Sequence, residues 1–212
     1  MVRVKICGIT NHRDARMSVE MGADAIGFIF APSPRQITPE KAREIICSIP
    51  PFVHTVGVFV NERSATVRRI MEFCHLDLIQ FHGDESPEVC GDFMPHTIKA
   101  FRVKDRSVLQ TIKPYFGKIR ALLFDTYVRE TIGGTGKTFD WSTAVMGKVL
   151  GVPIILSGGL GPSNIAGAIS KVNPFALDIN SGIEERPGKK DHILMEKLME
   201  NIRNAENGKG SK

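Results

Sequence analysis

Hydrophobic and polar positions along this chain switch between a period of two and a helical period, and the switch recurs from end to end. Val2, Val4 and Ile6 alternate with Arg3, Lys5 and Cys7, which predicts a strand with two different faces, ended by Gly8. Residues 11–21 then read as a helix, with Asn11 as cap and Gly22 as stop. Residues 25–30 (AIGFIF) are nearly all apolar, as in a parallel strand covered on both faces. A loop containing Pro32, Pro34 and Arg35 follows, and Thr38-Pro39 opens a second helix that reaches about residue 48. Further strands are predicted at residues 54–60, 78–81, 97–100, 121–125, 154–156 and 175–180. Between them lie helices at about 64–74, after Pro87, at 105–115, from a cap at Asp140, and at 163–172, with a last one at 191–205. A polar tail, residues 207–212, is expected to fray.

Strict strand–helix alternation implies parallel strands joined by right-handed crossovers. Eight such units in 212 residues fit a small (β/α)8 TIM barrel, one domain over residues 1–206. The competing architecture, a doubly wound open sheet, usually has fewer strands and opens with GxGxxG. Here the first turn is Cys7-Gly8-Ile9-Thr10.

Composition narrows the function classes. The net charge of +5 comes from 28 basic and 23 acidic residues that are scattered rather than run together. Without an arginine-rich tract interleaved with aromatics, a small anionic ligand is expected rather than nucleic acid. No apolar run has membrane-spanning length and no leader pattern is visible, so a cytoplasmic protein without membrane attachment is expected. Cys7, Cys47, Cys74 and Cys90 are far apart and include no CxxC pair, which points to reduced thiols rather than a zinc site or a disulfide framework.

In a barrel, working residues stand where strands end. That geometry selects Cys7, Arg35, His82, Asp125, the Ser157-Gly158-Gly159 turn and residues 178–182, which include Asp178, Asn180, Ser181 and Gly182, with Arg35, His82 and Asp178 as the candidates for substrate binding. The two glycine turns follow the seventh and eighth strands, and together they suit a phosphate, because glycine lets backbone N–H groups approach an anion. Asp125 ends an apolar strand, where an unpaired charge is costly, so a functional or paired role is expected. With Cys7 it makes a candidate acid/base pair. Cys7 can equally be a small apolar filler, His82 a hydrogen-bonded spacer, and Arg35 either a solvated loop residue or a carboxylate fork. The segment Gly133-Gly134-Thr135-Gly136-Lys137-Thr138 fails as a P-loop, since Thr131 stands where its first glycine belongs. Gly133, Gly134 and Gly136 suit a loop lying over a ligand, or a merely flexible one.

Five segments carry a resemblance: residues 4–10 (VKICGIT), 80–83 (QFHG), 133–141 (GGTGKTFDW), 156–160 (LSGGL) and 187–191 (PGKKD). In this order the chain resembles the phosphoribosylanthranilate isomerases of tryptophan biosynthesis. Asn180 stands where a serine is common in that family, and Phe81 where leucine is. The resemblance implies an Amadori rearrangement of N-(5-phosphoribosyl)anthranilate, with Cys7 as general base and Asp125 as general acid. It implies Arg35 on the anthranilate carboxylate, the turns at Gly158-Gly159 and Ser181-Gly182 on the phosphate, and neither a metal nor an organic cofactor. Such chemistry asks Asp125 to stay protonated well above about 4 and Cys7 to ionise below about 8.5. Lys5, on the face of Cys7 and about 7 Å along the strand, is expected to favour the thiolate, and Asp178 to partner Lys5. A related sugar-phosphate isomerase or epimerase, and a non-catalytic phosphoribosyl-binding barrel, remain alternatives. Assembly as a monomer or a homodimer is left open.

Overall fold

A computed structural model of the chain describes residues 1–103, 105–126 and 141–208. Among these, eight strands close into a parallel barrel in sequence order: β1 (Arg3–Ile6), β2 (Ala25–Ile29), β3 (His54–Phe59), β4 (Leu78–Phe81), β5 (Thr97–Val103), β6 (Ala121–Thr126), β7 (Ile154–Ser157) and β8 (Ala176–Ile179). Closure comes from β1 pairing with β8, with Lys5 opposite Asp178 and Ile6 opposite Ile179. The helices are α1 (His12–Glu20), α2 (Pro39–Ile46), α3 (Ser64–Cys74), α4 (Pro87–Gly91), α5 (Val108–Ile112), α6 (Ser142–Gly147), α7 (Ile165–Val172) and α8 (His192–Asn207). No described helix is long and apolar enough to cross a membrane.

The strand alternation sorts side chains into two concentric cores. Outward residues such as Val4, Ile6, Ile26, Phe28, Ile79, Phe81, Leu122 and Phe124 pack under the helices. Inward residues Val56, Ile98, Ala100, Ala121, Leu123, Ile155 and Ala176 fill the barrel itself. Burial of these apolar faces supplies the main driving force for folding. The expected caps are in place: Asn11 accepts from the Asp14 N–H at 2.9 Å, and Thr38 caps α2 with Pro39 at its first position. Asp191 accepts from the N–H groups of Ile193 and Leu194 and so starts α8.

Several boundaries differ from the sequence expectation. The fifth helix begins only at Val108 and passes into a 3-10 turn, Lys113–Tyr115, because Pro114 has no N–H to continue an α-helix. The sixth is a short helix followed by a 3-10 turn, Lys148–Leu150, and its expected cap, Asp140, lies outside the described residues. The eighth runs to Asn207, past its expected end near residue 205, while residues 209–212 of the expected tail lie outside the description. Between β8 and α8 the chain makes a 3-10 turn, Ser181–Ile183, and a small antiparallel pair, β9 (Glu184–Arg186) and β10 (Lys189–Lys190). This hairpin is absent from the sequence expectation because its residues are mostly charged and carry no apolar alternation. Its turn rests on Gly188, at φ 81°.

Candidate active site

The ends of β1, β4, β6, β7 and β8 converge on a cavity of about 440 Å³ lined by Cys7, Gln80, His82, Asp125, Ser157, Gly158, Gly159, Asp178, Asn180 and Ser181, among others. Two larger clefts, of about 650 and 630 Å³, lie at the rim and contain neither Cys7 nor Asp125. The barrel thus gathers most of the residues selected by strand-end geometry into one space.

Cys7 follows the last residue of β1 and is buried, its N–H donating to the Ile179 carbonyl at 2.8 Å. Two residues back on the same face, Lys5 is buried with its Nζ 3.4 Å from Cys7 Sγ, 3.0 Å from Asp178 Oδ1 and 2.6 Å from Gln80 Oε1. The expected partnership of Lys5 with Asp178 is therefore present, although Oδ1 lies within ion-pair distance without a well-aligned hydrogen bond. Room for this cluster is made by Gly27 on β2. A Cβ there would stand 2.8 Å from Cys7 Sγ and 2.9 Å from Lys5 Cε.

The charge balance around the thiol corrects one expectation. Burial pushes the Cys7 thiol up, and the nearby Asp178 carboxylate adds to this. Lys5 and Lys190 pull it down, as expected of an ammonium beside sulfur, but do not overcome burial. The thiol therefore sits above its ordinary value, not below it. Lys5 itself is pulled down by burial, yet Asp178 and Cys7 together raise it above the usual lysine range, so its charge is secure.

Across the cavity, His82 Nε2 lies 3.1 Å from Asp125 Oδ2, and His82 Nδ1 lies 3.2 Å from Gln80 Nε2. His82 is thus more than a spacer: it lines the cavity and touches the candidate acid. Arg35 stands at the rim beside Gly8 and Asn180; a Cβ on Gly8 would lie 3.0 Å from Arg35 Cδ and 2.7 Å from Asn180 Oδ1. Its guanidinium already has a carboxylate partner, Glu184, at 2.6 Å, which holds Arg35 above its usual range. Lys190 Nζ backs Glu184 at 3.0 Å and Asn180 Oδ1 at 2.9 Å. Burial, with the Arg35 charge adding to it, holds the Lys190 ammonium below the usual lysine range despite Glu184. Burial would raise Glu184, but the bonds from Arg35 and Lys190 hold it below the usual carboxylate range.

The two glycine turns press on each other. Gly158 and Gly159 adopt φ of 92° and 62°, conformations that favour glycine, and a Cβ on Gly161 would stand 3.2 Å from the Gly182 carbonyl. Asn180 and Ser181 complete this side of the cavity. Gly133, Gly134 and Gly136 lie outside the described residues. Gln80, Gly27, Glu184 and Lys190 were not singled out by strand-end reasoning. For Gln80 a signal existed, since it lies two residues before His82 and shares its inward face. Lys190 lies in the PGKKD segment that carries part of the resemblance, whereas for Glu184 no signal existed, because the hairpin that carries both has no apolar pattern.

The chain matches the family described as N-(5'-phosphoribosyl)anthranilate (PRA) isomerase over residues 4–201. It is 50% identical over 206 residues to the N-(5'-phosphoribosyl)anthranilate isomerase of Geobacter metallireducens, a match covering 97% of this chain and 99% of that one. Its fold superposes with a TM-score of 0.88 on the crystal structure of phosphoribosyl anthranilate isomerase from Thermotoga maritima, at 44% identity over 96% of this chain and 100% of that chain. A phosphoribosyl anthranilate isomerase in complex with reduced 1-(o-carboxyphenylamino)-1-deoxyribulose 5-phosphate gives a TM-score of 0.85 at 41% identity, with 96% and 100% covered. With the barrel closed, the strand ends converging and both glycine turns in place, the chain belongs to the N-(5'-phosphoribosyl)anthranilate isomerase family.

Proposed function

We propose that this chain converts N-(5'-phosphoribosyl)anthranilate to 1-(2-carboxyphenylamino)-1-deoxyribulose 5-phosphate, the Amadori step of tryptophan biosynthesis, with Cys7 as base and Asp125 as acid. The observation that carries this reading is the placement of Cys7 and Asp125 on the walls of one cavity whose third side is the pair of glycine turns. Asp125 gives a proton to the furanose ring oxygen as the C1'–O bond breaks, and the anilino nitrogen lone pair closes an iminium. The Cys7 thiolate removes the proton from C2'. The C–H electrons form a C1'=C2' double bond while the iminium electrons return to nitrogen, and the resulting enolamine tautomerises to the ketone. The substrate nitrogen is the electron sink.

The surroundings support each role. His82 meets Asp125 Oδ2, so the carboxylate left after proton donation keeps a hydrogen-bond partner. Gly158, Gly159, Asn180 and Ser181 form the side of the cavity suited to phosphate, with Gly182 packed behind them on the Leu160-Gly161 backbone, and glycine backbone can approach an anion closely. Arg35 is assigned to the anthranilate carboxylate through the edge of its guanidinium that Glu184 leaves open. Asp178, expected on the substrate side, lines the cavity and anchors Lys5.

A fluorescence assay that follows consumption of phosphoribosylanthranilate tests the reading. Cys7→Ser and Asp125→Asn should each lose turnover by about a hundredfold or more, as expected when a proton-transfer group is removed. Both should still bind the reduced product analogue. Normal turnover in either variant refutes the role given to that residue.

A further inference from the structure

A continuous polar chain crosses the cavity from Lys5 through Gln80 and His82 to Asp125. The separations are 2.6 Å from Lys5 Nζ to Gln80 Oε1, 3.2 Å from Gln80 Nε2 to His82 Nδ1, and 3.1 Å from His82 Nε2 to Asp125 Oδ2. Its direction follows from what each group can donate. An ammonium has donors and no acceptor, so the Gln80 atom facing Lys5 must be the carbonyl oxygen. The amide NH2 then faces the ring, and because it can only donate, Nδ1 must offer its lone pair. The ring hydrogen is left on Nε2, aimed at Asp125 Oδ2. Gln80 is 1% exposed, so bulk water does not compete for either end of the amide.

We propose that Gln80 is a positioning residue for the candidate acid: held by Lys5, its amide sets the ring tautomer of His82, which therefore donates Nε2–H to Asp125 Oδ2. Oδ2 is then the accepting oxygen in both protonation states of Asp125, and the transferable proton belongs on Oδ1. The bond from His82 strengthens as negative charge develops on the carboxylate. The same ammonium touches Cys7 Sγ at 3.4 Å, so one buried cation serves the base directly and orders the acid through Gln80. This role rests on the acid assignment of Asp125 made above.

Nitrogen NMR of the full chain labelled with ¹⁵N-histidine decides it. In the wild type, His82 should show a bare Nδ1 and a protonated Nε2. In Gln80→Leu the ring should become a mixture of tautomers, and in Gln80→Glu, where an acceptor replaces the NH2, the hydrogen should move to Nδ1. Both variants should lose kcat by roughly tenfold or more, less than the hundredfold or greater loss from removing a proton-transfer group itself, with KM little changed. A wild-type ring protonated on Nδ1 overturns the proposal, and that spectrum needs no variant to fold. So does a Gln80→Leu protein that keeps the wild-type spectrum and kcat while Asp125→Asn is inactive. If instead Asp125→Asn retains turnover, the acid reading falls and takes the catalytic role of Gln80 with it, whereas the tautomer is still judged by the spectrum.

Discussion

Glu184 grips one edge of the Arg35 guanidinium, its carboxylate oxygens 2.9 and 3.0 Å from Nε and 2.6 Å from Nη2. The planar fork of an arginine is useful to a substrate carboxylate only when its orientation is fixed, and here the fixing group is on the hairpin between β8 and α8. Removing that grip in Glu184→Ala leaves Arg35 charged but free to turn. KM for phosphoribosylanthranilate should rise roughly tenfold, with kcat reduced less, the pattern of lost binding common to ground and transition states. The same variant leaves Lys190 buried without its carboxylate, which should cost about 3–5 kcal/mol in denaturant unfolding. Glu184→Gln, which retains an acceptor, should show smaller changes in both. A Glu184→Ala protein with wild-type KM sinks this account of Arg35.

The raised Cys7 thiol sets the sign of the pH dependence. A thiol held above its ordinary value by burial is mostly protonated at neutral pH, so the fraction of active thiolate grows as pH rises. The kcat/KM of the wild type should therefore climb through the neutral and mildly alkaline range. Lys5→Met removes the strongest downward pull on the thiol and should move the rising limb to higher pH. Asp178→Asn removes a charge that pushes the thiol up and should move the limb the other way. Opposite shifts in the two variants, read from pH–rate profiles and thiol titration, check the assignment. Equal profiles in both would show that this charge cluster does not govern the base.

Much of this arrangement was legible in the chain, for a physical reason: a barrel strand carries its burial pattern locally, and its end is where chemistry must sit. The alternation of residues 2–7 placed Lys5 with Cys7, and barrel closure placed Asp178 beside Lys5, because both follow from strand period and topology alone. The net acidity of Cys7 was not legible. It depends on depth of burial and on a four-way balance with Lys5, Asp178 and Lys190, which no local pattern encodes. The partner of Arg35 was hidden for a different reason. Glu184 is 149 positions away in a charged hairpin, and only the folded chain brings it to the guanidinium.

Gly27 has a role that composition cannot show. Its strand is otherwise apolar (AIGFIF), and the missing side chain is the space taken by Cys7 Sγ and Lys5 Cε. Gly27→Ala should cost about 1–3 kcal/mol in unfolding, the usual range for overpacking. Turnover should fall as well, since the groups that must yield are the base and its cation. Gly91 offers the contrast. It lies at the end of α4, where an added Cβ meets Lys118 carbons at 3.5 Å or more, ordinary contact distances. Gly91→Ala should leave activity unchanged and stabilise the fold by roughly 0.4–1 kcal/mol. Thermal unfolding beside the turnover assay separates the two positions.

Behind the His82-Gly83 turn, Lys99 and Glu85 form a buried ion pair at 3.1 Å, and neither residue lines the cavity that holds Cys7 and Asp125. Lys99 Nζ also donates to the Gly83 carbonyl at 2.6 Å, and Glu85 accepts from the N–H groups of Asn61 and Gly83 at 2.8 and 3.0 Å. These bonds tie the loops after β3 and β4 to β5 and so hold the backbone on which His82 is mounted. Removing one partner in Glu85→Ala leaves a buried, uncompensated ammonium, and the loss in unfolding free energy should be about 3–5 kcal/mol. In the double variant Glu85→Leu/Lys99→Met no buried charge remains, so part of that loss should be recovered. Activity should not recover with it, because the Gly83 carbonyl and the loop N–H groups still lack their partners and His82 is no longer held against Asp125. Recovery of both stability and turnover in the double variant would mean that the pair only fills space behind the turn.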